Sequence, residues 1–373
     1  MKTRVRIVGS GLAGASVAYH LARSAGAGAP PLEIEILERS PQPFSEASAQ
    51  NAGMIRSLVL EPAERERARQ TIQLLADLPR DDWPHSPFRQ TGGIVALGHP
   101  SPAHEEAVAH LRELGAAIEV HDPQSIASVA PALRGARFEK AFFVRDDGLC
   151  DPWTLGQGLL RGAQRHGVRV RHGVHIRELL RDPIDGSIQG LETADDERID
   201  CEVCILATAA WTDLLYPDAS VRPLQRHLWQ SRPTKLACDG HPWCWFDQDG
   251  LYLRPEAGGF LCSPCDERER RPDPSDASAG ASTVPGDEAS REQVLTRLAE
   301  LVPTLSELGF ERGWSGLRSF REDREALLGP SSDVPGLVFA TALGGSGVST
   351  CLSVGEEVAQ SVLDQTLRIR DRR

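Results

Sequence analysis

A chain of 373 residues is too long for one ordinary core and predicts two domains of moderate size. Its 40% hydrophobic and 25% charged residues suit a folded globular protein, and no apolar run approaches the ~18 residues of a membrane-spanning helix. A formal net charge of −12 repels phosphate backbones, so nucleic acid is disfavoured as a partner.

Val5 to Val8 form a short apolar strand, and Gly9-Ser10-Gly11-Leu12-Ala13-Gly14 opens a helix predicted to run to Ser24. Arg6 and the glycines from Gly9 interrupt any apolar leader, so a cytoplasmic protein is expected. A second strand, Leu32 to Leu37, ends in Glu38-Arg39. In this β-α-β context Gly9 permits the tight turn, Gly11 lets the backbone approach a pyrophosphate, and Gly14 allows close packing of helix on strand. Glu38 stands where a carboxylate accepts hydrogen bonds from the adenosine ribose. The pattern predicts a Rossmann-type dinucleotide site, and the glycines alone leave FAD and NAD both open.

Further along, Gly93 to Leu97 reads as a strand, Leu155 to His166 as an amphipathic helix, and Gly167 to Leu179 and Val203 to Ala210 as strand-rich segments. Leu251 to Arg254 and Gly259 to Ser263 suit antiparallel strands. Asp266 to Ser290 has almost no large apolar residue and is expected to be a mobile surface loop. Leu337 to Ala342 is a strand, and Gly344-Gly345-Ser346-Gly347 turns into a helix from Val348 to Leu367. The expected fold is α/β. A discontinuous Rossmann-type domain takes residues 1–62, 146–220 and 316–373, and a second α+β substrate domain on a mainly antiparallel sheet takes 63–145 and 221–315.

The eight cysteines are scattered and read as reduced thiols. Cys201-x-x-Cys204 and Cys262-x-x-Cys265 have zinc-ribbon spacing, but strand residues three apart point to opposite faces, so core thiols are expected and no metal. His20, His166, His172 and His227 form no spaced cluster with acids.

Ser45-Glu46-Ala47-Ser48-Ala49-Gln50-Asn51-Ala52-Gly53-Met54 resembles the stretch after the second strand in the D-amino-acid oxidase and dehydrogenase superfamily. Gly313-Trp314-Ser315-Gly316-Leu317-Arg318-Ser319-Phe320, then Asp323 and Gly329, then Ala342-Leu343-Gly344-Gly345-Ser346-Gly347, resemble its C-terminal signature. With Leu251-Tyr252-Leu253-Arg254-Pro255-Glu256-Ala257-Gly258, these blocks are similar to the D-arginine dehydrogenase branch, with glycine and sarcosine oxidase-like relatives.

That resemblance implies FAD and a C–N bond oxidation in which an amino acid or secondary amine becomes an imine by hydride transfer to flavin N5. Arg318 and Tyr252 would hold the substrate carboxylate, the guanidinium fork matching it in a bidentate pair. Met54, Arg56 and His227 would line the pocket, Arg56 suiting a carboxylate-rich substrate. Cofactor contacts are implied at Gly9, Ser10, Gly11, Leu12, Ala13, Gly14, Glu38, Arg39, Ser48, Asn51, Ala52, Gly53, Met54, Val174, Ala207, Ala209, Trp211, Gly344, Gly345, Ser346, Gly347 and Val348. The electron acceptor stays open.

Departures from the family pattern refine this. Ala209 replaces a glycine, which requires a negative φ there. The acid that would read a guanidinium falls near Gly92 or Gly93 and an active-site histidine at Met54, so D-arginine is disfavoured. Cys262 stands where oxidases carry a lysine, which favours a dehydrogenase. Two other activities remain compatible: an FAD-dependent tRNA wobble-uridine demodification enzyme, through Ala47-Ser48 and Gly148-Leu149-Cys150 before a helix, and a flavin-binding subunit of a hetero-oligomeric amine dehydrogenase.

Overall fold

The computed structural model describes residues 2–24, 31–273 and 280–371. Five parallel strands form the spine of a six-stranded sheet in the order Leu337–Thr341, Val203–Leu206, Thr3–Val8, Leu32–Glu38, Arg169–His172, with Leu327–Pro330 added antiparallel at the first edge. Val203–Leu206 and Leu337–Thr341 are buried throughout, as parallel strands covered on both faces must be. Helices Leu12–Ser24, Pro152–Arg165 and Gly347–Asp371 cover one face. A Cβ built on Gly355 would lie 2.0 Å from Ser16 Oγ, so the first and last of these helices cross at a distance that only glycine allows.

The second sheet is large and mainly antiparallel. Its order is Val284–Pro285, Phe310–Phe320, Arg222–Ser231, Gly259–Ser263, Leu251–Glu256, Trp243–Phe246, Gly93–Leu97, Lys140–Val144, Ile118–His121, with Arg268–Glu269 beside Arg222–Ser231. One pair, Trp243–Phe246 with Gly93–Leu97, is parallel. One face of this sheet packs into a core of Phe246, Phe260, Cys262 and Leu298, and the opposite face turns Arg318, Tyr252 and Arg226 toward the first sheet's cleft. Alternation along each strand makes that division.

The segment expected as a mobile surface loop is different over its described parts. Residues 266–273 and 280–290 contribute two short strands, Arg268–Glu269 and Val284–Pro285, and a buried Ser282. Glu46 accepts hydrogen bonds from Ala281 N at 3.0 Å and Ser282 N at 3.1 Å, and Asp287 caps the helix that begins at Glu288. Some of its polar residues, Ser282 and Asp266 among them, meet protein partners, while Glu269, Arg271, Thr283 and Glu288 stay exposed, a division that composition alone does not reveal. Residues 274–279 of the expected loop lie outside the described residues. Among those described, no helix is long and apolar enough to cross a membrane.

Candidate active site

The site begins at the first turn. Gly9 has φ +104°, and a Cβ there would lie 2.6 Å from Ala207 O; a Cβ on Gly14 would lie 2.1 Å from Gly9 O. Both contacts exclude any side chain and bring the helix Leu12–Ser24 against the strand ends. Glu38 fixes this turn from the next strand. Its carboxylate accepts from Ser10 N at 2.8 Å, Ser10 Oγ at 2.9 Å and Ser40 N at 2.9 Å. Leu12 N, one of the donors left unpaired by the helix start, donates to Ser48 Oγ at 3.0 Å.

A cleft runs from this turn across the ends of the parallel strands. Its outer part is a cavity of about 120 Å³ walled by Glu38, Arg39, Val174, His175, Ala207 and Trp211. Arg39 stacks its guanidinium 3.8 Å from the centre of the Trp211 ring. Burial, with the Arg39 charge adding to it, lowers the His175 pKa. A second cavity of about 100 Å³ continues inward, walled by Leu12, Ala13, Asn51, Arg318, Ala342 and Gly344 to Val348 without Ser346. The two share Gly11, Ala47, Ser48, Ala207 and Ala209 and so form one elongated cleft.

At the inner end lies a smaller cavity of about 40 Å³, bounded by Ala52, Gly53, Met54, Arg56, Arg226, Trp245, Tyr252 and Arg318. Arg318 is 6% exposed and donates to the carbonyl oxygens of Leu317 and Gln50. Burial lowers its pKa to about 10. Tyr252 is 3% exposed, and burial raises its phenol against the opposing influence of the Arg318 charge. Arg56 lies 3.9 Å over the Trp245 ring and 3.3 Å from Ser346 Oγ. Ser346 itself faces a wider cavity of about 330 Å³ on the far side of Arg56 and Arg226.

Three sequence expectations need correction. His227 does not line the pocket: it is 1% exposed, and its Nδ1 pairs with Asp266 Oδ2 at 2.7 Å on the opposite face of strand Arg222–Ser231. Alternation gives the cavity to Arg226 instead. Cys262 likewise points away, into the core with Phe260 and Leu253, while Leu261 packs beside Tyr252. Ala209 has φ +46°, so its methyl is held in the left-handed region that glycine favours, not at negative φ. By contrast, the absence of an acid at positions 92 and 93 has a steric reason. A Cβ on Gly92 would lie 2.2 Å from the Phe143 ring, and one on Gly93 2.1 Å from the Trp243 ring.

Sequence reasoning missed Trp245 and the cavity-facing role of Arg226, which the pairing of its strand with Phe310–Phe320 decides. It also missed Asp147, which is fully buried and accepts from Ser57 Oγ at 2.6 Å just behind the Met54 to Arg56 segment. Burial pushes that carboxyl up to about 7 despite the bonds from Ser57.

Comparison with known proteins decides the family. The model for "DAO: FAD dependent oxidoreductase" matches residues 4–361. The chain belongs to this family of FAD-dependent oxidoreductases. It is 25% identical over 416 residues to FAD-dependent oxidoreductase domain-containing protein 1 of Bos taurus, covering 97% of this chain and 82% of that one. It is 21% identical over 389 residues to a glycine oxidase of Bacillus licheniformis, covering 97% and 93%. The L-proline dehydrogenase of P. horikoshii has the same fold, with a TM-score of 0.82 at 19% identity over 97% of this chain and 93% of that one.

The residues present fit the FAD that the DAO family uses. The glycine contacts leave the backbone bare at the first turn, the cleft is elongated, and beside it Trp211 Nε1 is buried with no hydrogen-bond partner among the described residues.

Proposed function

We propose that this DAO-family enzyme oxidises the C–N bond of an amino acid or secondary amine to an imine, which water then hydrolyses. Bound FAD would supply the chemistry by accepting the hydride at its N5. Glu38, Arg39 and Trp211 would hold the adenosine end, the Gly9 to Gly14 turn the pyrophosphate, and Asn51 with the Gly344 to Val348 turn the ring. The start of the last helix adds backbone donors and a positive end beside that turn.

The observation that carries this assignment is Arg318. A buried guanidinium that donates to two main-chain carbonyls, with no carboxylate of the described residues in ion-pair range, is set to take an anionic group from outside the protein. Tyr252 offers its phenol in the same cavity, so the pair would grip a substrate carboxylate and orient the carbon that is oxidised. The names of the similar proteins, glycine oxidase and L-proline dehydrogenase, support an α-amino acid or cyclic amine. The test is anaerobic mixing of the FAD-loaded protein with glycine, N-methylglycine, proline and both enantiomers of other amino acids. At least one is expected to bleach the visible flavin band, and bleaching by none would refute the assignment.

A further inference from the structure

The charge inside the innermost cavity narrows the substrate class, an inference that rests on the amine oxidation proposed above. Three guanidiniums, Arg56, Arg226 and Arg318, line that cavity, and no carboxylate does. Arg56 and Arg226 also line the wider cavity, where they and two further arginines stand among four glutamates. Arg318, on the inner side alone, has no ion-pair partner among the described residues, and Arg56 and Arg226 meet their glutamates only on the other side.

The protein's own acceptors leave Arg56 and Arg226 incompletely used. Arg226 donates through Nη2 to Glu267 at 2.8 Å, but Glu267 also accepts from Arg324 at 2.7 Å, so one carboxylate serves two cations. Arg226 Nη1 lies against the Gly345 turn, 3.5 Å from where a Cβ on Gly345 would be. Among the described residues the ion-pair partner of Arg56 is Glu64, at 3.6 Å, and Trp245 holds its plane by stacking. A guanidinium so oriented presents a donor fork that matches a carboxylate. Clustered cations in a desolvated site cost free energy that a ligand's anionic groups offset.

We infer that the substrate is an amino dicarboxylate: one carboxylate meets Arg318 and Tyr252, and a second, on the other substituent of the amine or at the end of the side chain, meets Arg56 and Arg226. A monocarboxylate bound at Arg318 would leave Arg226 with only the glutamate it shares with Arg324 and Arg56 with only the more distant Glu64. The wider cavity, balanced in charge, adds no comparable preference.

The test compares matched amines on the FAD-loaded enzyme under anaerobic conditions, with loss of flavin absorbance as the readout. N-(Carboxymethyl)glycine is set against N-methylglycine, and aspartate against alanine in both enantiomers. In at least one pair the dicarboxylate is expected to reduce the flavin about tenfold or more efficiently, the size of one charge-assisted hydrogen-bonded contact. In Arg56→Gln and Arg226→Gln the dicarboxylate-to-monocarboxylate ratio should fall about tenfold. Should either variant fail to fold, the wild type is titrated with thiodiacetate and with (methylthio)acetate, thioethers that form no imine, and the dicarboxylate should bind about tenfold more tightly. Monocarboxylates that match or exceed dicarboxylates in both assays would overturn the inference and leave amine oxidation standing. If no amine bleaches the flavin, amine oxidation itself fails, while the thioether titration still reads the dicarboxylate preference.

Discussion

Tyr252 and Arg318 stand in one sheet with two strands between theirs, on Leu251–Glu256 and Phe310–Phe320, and face the same cavity. Each changes the other's protonation cost: the guanidinium charge works against the burial that raises the phenol, and the phenol opposes the burial that lowers the guanidinium to about 10. At neutral pH the pair is a neutral donor beside a cation. That is the combination a carboxylate requires.

Ala209 holds a strained backbone where the two cavities of the cleft meet. The substitution Ala209→Gly removes a methyl from a residue at φ +46° at the cost of greater freedom in the unfolded chain. A net gain of roughly 0.5–1 kcal/mol is expected, read as a higher thermal midpoint of the FAD-free protein. A lower midpoint would show that the methyl's packing outweighs the strain.

Glu38 organises the first turn through three accepted hydrogen bonds. Replacing it by alanine should weaken FAD binding by about tenfold or more, the scale of lost bonds to a charged acceptor. Titration of apoprotein with FAD, followed by flavin fluorescence, checks this. Unchanged affinity would separate Glu38 from the cofactor.

Asp147 gives stability a pH dependence of defined sign. Its carboxyl is raised to about 7 by burial, well above the unfolded value near 4. Between those values the folded state holds a proton that the unfolded state has released, so this group's contribution to stability falls as pH rises through that window and is level above it. Asp147→Asn keeps an oxygen for Ser57 and cannot ionise. Its urea midpoint should gain on the wild type from pH 5 to 7, and parallel curves would contradict the assignment.

The tight turn at Gly9 and the close approach at Gly14 were legible in sequence because they depend on local backbone geometry, which a short motif encodes, whereas the bonds from Ser10 to Glu38 were not read from it. The discontinuous parallel sheet was legible for a related reason, since a β-α-β start demands later strands. Arg226 and His227 show where legibility stops. They are neighbours, and which one faces the cavity depends on strand parity, set by the pairing of Leu224 with Arg318 far along the chain. The short strands at Arg268–Glu269 and Val284–Pro285 were hidden for another reason: the polar residues that anchor them, Asp266 and Ser282, gain partners only once His227 and Glu46 are brought beside them. The positive φ of Ala209 has no sequence signal, because alanine usually marks the opposite region.

Everything proposed for the chemistry converges on the guanidinium of Arg318 beside bound FAD. The most direct measurement is single-turnover flavin reduction, without oxygen, by the best amine on wild type and on Arg318→Met, an uncharged side chain suited to the same buried space. The variant should retain FAD, and its efficiency of flavin reduction should fall by about two orders of magnitude, corresponding to roughly 3 kcal/mol for a lost charge pair. Equal reduction in both proteins would contradict the account.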